Sequence, residues 1–195
     1  MEEKKKEVYE YTIDENGRMG VTAISLVDFP AIEEDFVFLR AADPIKLKAV
    51  DGERRMLYGP ALIPDKEILR VDNEGKEYYI KFSESLIMRV AHDYLKKNLQ
   101  HSATLMHAFA VSGLTVTESW VKEFPEDKSN GFGFSLPVGT WFVGMRVEDD
   151  AIWEEVKAGV YRGFSIEGLF KMAGIDLSAV DDEYILKQLE DLVKE

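Results

Sequence analysis

Short runs that alternate apolar and polar side chains recur along this chain, each closed by a turn-forming cluster. This pattern constrains the fold more than any other feature, because a period of two is the signature of strands with one buried face. Val8 to Ile13 is the first such run, and Asp14-Glu15-Asn16-Gly17 supplies its turn. Val21 to Val27 follows and stops at Asp28-Phe29-Pro30, where Pro30 biases Phe29 away from helical geometry. Phe36–Leu39, Ile45–Val50 and Arg54–Tyr58 read as strands, the last two joined at Asp51-Gly52. Pro60 and Pro64 lack a ladder donor, so residues 59–64 read as an edge, a bulge or an extended connection. Glu67–Val71 and Glu77–Phe82 flank a turn at residues 72–75. Thr104–Val111 and Leu114–Val121 flank Ser112-Gly113, which reads as a two-residue hairpin loop. Lys122–Asn130 is charged, contains Pro125 and reads as a mobile loop before a strand over Val138–Val147.

Helical period appears in three places. Ser83–Leu99 carries the stripe Leu86, Ile87, Val90, Ala91, Tyr94 and Leu95, with Ser83 as its cap. A short helix runs from Asp149-Asp150 to Lys157 and ends at Gly159. Leu177–Val193 is the last. Many short strands with few helices predict an α+β fold, a mainly antiparallel β-barrel flanked by helices. The expected division is a barrel domain over residues 1–174 and a docking or regulatory helix over 175–195.

Composition narrows the function. A chain of 195 residues with 46% hydrophobic residues can bury a sizeable core. Its net charge of -13 argues against nucleic acid as a partner, since neutralising phosphates takes clustered Lys and Arg. The absence of cysteine removes disulfides, thiolate zinc sites and cysteine nucleophiles, and suits a reducing cytoplasm. No apolar run approaches a membrane span, and residues 1–6 lack the apolar region of a secretory signal. No cluster of metal ligands stands out, so no metal or cofactor is expected.

Candidate chemistry centres on Tyr161-Arg162-Gly163-Phe164-Ser165-Ile166-Glu167-Gly168. Phe164 and Ile166 point to one face of a strand, Ser165 and Glu167 to the other. Ser165 is either an idle strand hydroxyl or a nucleophile, and the second needs a base within hydrogen-bond reach. Of the three histidines, His92 lies beside the helical stripe and His101 in a polar connection, while His107 falls inside a strand. With Ser112-Gly113 as the loop, Val111 pairs with Leu114 and His107 lies directly opposite Glu118. A carboxylate there would orient the imidazole as in a Ser-His-acid triad, or form an ordinary cross-strand ion pair. Arg146 and Arg162 are either helpers or surface arginines.

At this point a family resemblance becomes visible. The segments 20–32, 59–64 and 77–83, then Met106-His107, Glu118-Ser119-Trp120, Gly139-Thr140-Trp141 and Gly163–Gly168, together resemble the XkdF group of phage prohead maturation proteases. The resemblance implies a fold like that of the herpesvirus assembly protease. It implies a serine endopeptidase that cleaves scaffold and major capsid proteins, working in the host cytoplasm inside the assembling prohead, with self-association as an option. It places the family histidine at His107 and the nucleophile at Ser165. For the third member, Glu118 follows from the hairpin count and Glu167 is the rival, because it shares a strand face with Ser165. A catalytically inactive assembly protein with the same barrel is the alternative. An esterase elbow is excluded because Gly168 stands one position too late for Gly-x-Ser-x-Gly. Leu192-Val193-Lys194-Glu195 reads either as a self-processed end or as the encoded one.

Overall fold

The computed structural model describes residues 6–33, 37–38, 54–72 and 75–173. The expected strand at Ile45–Val50, its turn at Asp51-Gly52 and the helix over 175–195 lie outside these residues.

Alternating runs become strands wherever one face can be buried. In order they are β1 (Val8–Thr12), β2 (Gly20–Val27), β3 (Val37–Phe38), β4 (Met56–Leu62), β5 (Ile68–Val71) and β6 (Glu77–Lys81). After helix α1 (Glu84–Lys96) come β7 (Ala103–Leu105), β8 (Phe109–Val111) and β9 (Leu114–Val121). Helix α2 (Lys128–Gly131), β10 (Trp141–Val147), α3 (Asp150–Lys157), β11 (Gly163–Leu169) and β12 (Lys171–Met172) complete the order. They form three four-stranded sheets, β12-β1-β6-β5, β3-β4-β10-β9 and β11-β2-β7-β8. The fold is mostly β with few helices, as the sequence predicts. The expected barrel is not what the described residues form, since none of the three sheets closes on itself. Two of the pairings, β1 with β6 and β2 with β7, are parallel.

Helix α1 follows its stripe. Leu86, Ile87, Val90, Ala91 and Tyr94 are buried, with Tyr94 edge-on to Trp141 at a ring separation of 5.6 Å. Leu95, assigned to the same stripe, is instead exposed, and so is His92. Ser83 occupies the cap position in extended geometry, yet its side chain caps no backbone N–H. The helix starts against the β9–β10 connection. Gly139 has a φ of 88°, which favours glycine, and a Cβ there would fall 2.6 Å from Cγ of Glu84.

Two connections differ from expectation. Residues 122–131 are anchored rather than free. Lys122 is 1% exposed, and its Nζ donates to Asn130 Oδ1 at 2.9 Å and lies 3.9 Å from Asp127 Oδ1. Asp127 caps α2 by accepting from Ser129 N at 2.8 Å, and Asn130 Oδ1 returns to Asp127 N at 3.0 Å. That reciprocal pair is a capping box. The charged composition signalled exposure, but a buried lysine needs polar partners and the loop supplies them.

Ser112-Gly113 is the second difference. β8 pairs with β7, while β9 pairs with β10 in another sheet. The dipeptide is therefore a corner between sheets and not a hairpin loop. Gly113 has a φ of 81°, and a Cβ there would meet Cβ of Asp149 at 3.0 Å. Its carbonyl accepts from Glu148 N at 2.7 Å, which ties the corner to the entry of α3.

Candidate active site

β11 and β2 pair antiparallel in the register that the site depends on. Ser165 lies opposite Ser25, Phe164 opposite Leu26 and Ile166 opposite Ile24. Phe164, Leu26 and Ile24 are buried at 1% exposure or less, and they fix which face looks inward. On the other side of β2, Ser25 lies opposite Thr104 of β7. Ser165, Ser25 and Thr104 thus form a row of hydroxyls across three strands, on the face opposite the core side chains. Ser165 is buried.

Glu167 stands two residues beyond Ser165 on the same face. A bulge between Glu167 and Gly168 bends the strand at this point. Gly168 presses on the start of β2, where a Cβ would lie 2.3 Å from the carbonyl oxygen of Gly20. Across the pair Glu167 faces only Ala23, whose small side chain leaves room to reach over β2. Its carboxylate meets Thr104 Oγ1, which donates to Oε1, and His107 Nδ1, 3.2 Å from the same oxygen.

His107 sits in the turn between β7 and β8, not inside a strand as its apolar neighbours suggested. Leu105 pairs with Phe109, leaving Met106, His107 and Ala108 as the loop. Met106 and His107 have φ of 53° and 59°, a region side chains other than glycine seldom adopt. Hydrogen bonds hold them there. Met106 N donates to Leu26 O at 2.9 Å, His107 N to Ser25 Oγ at 3.0 Å, and Ala108 N to Leu105 O at 3.0 Å. The turn delivers the imidazole over β2 onto the face that carries Ser165 and Glu167.

The electrostatics match this geometry. The hydrogen bond from His107, joined by that from Thr104, holds the Glu167 carboxyl below its ordinary value against the opposing effect of burial. An ionised Glu167 fixes the proton on Nδ1 of a neutral His107, which leaves the Nε2 lone pair as acceptor. The pair can take up a proton at Nε2 and share the resulting charge with Glu167.

Glu118 is elsewhere, so its predicted pairing with His107 does not form. It lies on β9 opposite Gly144 of β10. Tyr58 donates to its Oε1 at 2.7 Å, and Lys128 pairs with Oε2. Burial pushes the Glu118 carboxyl up, but the bonds from Lys128 and Tyr58 outweigh it and leave the group below its ordinary value. The hairpin count failed because β8 and β9 belong to different sheets. Arg146 lies in that second sheet too and faces Glu148 at 3.7 Å. Arg162 is exposed at the entry to β11, its backbone N–H bonded to Val27 O at 2.8 Å. Sequence reasoning missed Ser25 and Thr104. Only the strand pairing reveals them, because each is an ordinary strand hydroxyl in isolation. Among the described residues no three His, Asp or Glu side chains converge on a metal site.

A mainly β chain with a histidine–carboxylate pair on the face of a strand serine has the makings of a serine hydrolase. A family model described as "Putative phage serine protease XkdF" matches residues 45–173, and the chain belongs to that family. In particular, it is similar to the Phage-like element PBSX protein XkdF of Bacillus subtilis (strain 168), at 27% identity over 156 residues. The match covers 76% of this chain and 52% of that relative, so the chain spans about half the relative's length. No solved structure matches it.

Proposed function

We propose that this chain is a serine endopeptidase of phage prohead maturation. In this reading Ser165 is the nucleophile, His107 the base and Glu167 the acid that orients it. The observation that carries it is the His107–Glu167 pair, held on the strand face that bears Ser165. Membership of a family named for serine proteases supports the same reading. Nε2 of His107 takes the Ser165 proton as Oγ attacks a peptide carbonyl, then returns it to the leaving amine. Glu167 stabilises the imidazolium. Substrates are scaffold and major capsid proteins, cleaved inside the assembling prohead in the host cytoplasm. Kinship with the herpesvirus assembly protease fold belongs to this proposal, and it rests on the sequence resemblance.

The test is chemical. A fluorophosphonate probe is expected to label the purified wild-type chain and to spare Ser165→Ala. Co-expressed scaffold or capsid protein is expected to be cut by the wild type alone. His107→Ala is expected to lose nearly as much as Ser165→Ala, and the double variant little more, because a triad acts as a unit. Cleavage by Ser165→Ala would overturn the assignment. A folded wild type that neither labels nor cleaves would favour the inactive assembly protein.

A further inference from the structure

Two hydroxyls hold the His107 backbone and the Glu167 carboxylate, and hydrogen-bond counting fixes the role of each. Ser25 is 0% exposed. A serine has one proton to donate and two lone pairs to accept with. That proton faces the main-chain carbonyls of Leu26 and Thr104, both 3.4 Å from Oγ. The lone pairs remain, and the backbone N–H of His107 uses one at 3.0 Å. Because His107 has a φ of 59°, its backbone lies in a strained region that persists only when neighbours hold it. Ser25 is the side chain that does so. Thr104 plays the matching part for the carboxylate. Its Oγ1 donates to Oε1 of Glu167, the oxygen that also meets His107 Nδ1.

We propose that Ser25 and Thr104 are positioning residues: Ser25 sets the His107 backbone, and Thr104 sets the Glu167 carboxylate against Nδ1. The inference rests on the reading of Ser165, His107 and Glu167 as a triad, and it adds the register by which β2 and β7 assemble that triad. Without Ser25 Oγ the His107 N–H loses its acceptor and the turn is free to relax out of its left-handed geometry. In the absence of Thr104 Oγ1 the carboxylate has one donor fewer and can rotate away from Nδ1. Either change takes the imidazole out of line without touching the nucleophile.

The experiment uses the full chain and two readouts. One is the tautomer of His107, read from its imidazole nitrogen shifts by NMR above the imidazole pKa. The other is the pH profile of fluorophosphonate labelling. The wild type is expected to carry its proton on Nδ1. Thr104→Val is expected to shift the population towards the Nε2 tautomer, and Thr104→Ser to restore it. Ser25→Ala is expected to shift it likewise, with Ser25→Cys behaving as the alanine does, because sulfur accepts weakly. Labelling in Ser25→Ala and Thr104→Val is expected to fall on the order of 10–100-fold through the rate and not through probe affinity, as for a misplaced catalytic group. Its pH midpoint is expected to move, which a loss of stability alone would not cause. If Ser25→Ala does not fold, the half-buried Thr104 position decides alone. A wild-type tautomer and pH profile in folded Thr104→Val would overturn the proposal. Failure of the protease reading looks different: the wild type then goes unlabelled while the tautomer response can still be read.

Discussion

Glu167 and Glu118 are both carboxylates with a lowered pKa, yet their surroundings differ. Glu167 is bound to an imidazole and a threonine on the face of Ser165, while Glu118 is bound to Lys128 and Tyr58 in another sheet. On the proposed triad, Glu167→Gln is expected to lower turnover far more than Glu118→Gln, with kcat as the readout. Their order reverses if the hairpin register of the sequence reading governs catalysis. Glu118→Gln removes a half-exposed ion pair and is expected to change stability by about 1 kcal/mol or less. The folded-state pKa of Glu167 lies below 4.5, so its stabilising contribution is complete above that value and is lost as pH falls through the lower, folded one. The melting-temperature gap between wild type and Glu167→Gln is expected to close on acidification below about pH 4.5. A gap that widens on acidification would contradict the sign of this shift.

Individual elements are held by polar groups as much as by apolar faces. The connection from β9 through α2 has Lys122 at its centre, and the capping box of Asp127 and Asn130 closes around it. Trp120 Nε1 donates to Asp127 Oδ2 at 3.0 Å, which joins the loop to β9. Removing the cation takes one donor from Asn130 Oδ1 and empties a buried position. Lys122→Ala is expected to destabilise by about 1–3 kcal/mol. Urea denaturation would register this as a lower midpoint with an unchanged slope. An effect within about 0.5 kcal/mol would return the segment to the free loop that its composition suggests.

Gly113 is the corner between the sheet of Ser165 and the sheet of Glu118. A Cβ there meets Asp149 at the start of α3, and its φ of 81° disfavours any side chain. Gly113→Val is expected to cost at least about 1–3 kcal/mol from overpacking alone. Because the corner ties two sheets and α3 together, unfolding is expected to stay a single transition at lower temperature by calorimetry. Two separate transitions would mean that the sheets fold independently.

The sequence by itself determined the local elements. The stripe of α1, the Asp149 cap of α3 and the alternation around Phe164 and Ile166 are short-range patterns, and each is written in neighbouring side chains. It also brought Ser165, His107 and Glu167 forward as candidates, since strand period alone puts Ser165 and Glu167 on one face. Tertiary structure decided which strand lies beside which. Ser112-Gly113 serves equally as a hairpin loop or a corner, because both need the same glycine backbone. Only the burial of β9 against β10 selects the corner, and with it the separation of His107 from Glu118. Ser25 and Thr104 acquire their partners the same way. Each hydroxyl lies 60 or more residues from the group it holds, His107 and Glu167 respectively, a distance no local pattern spans.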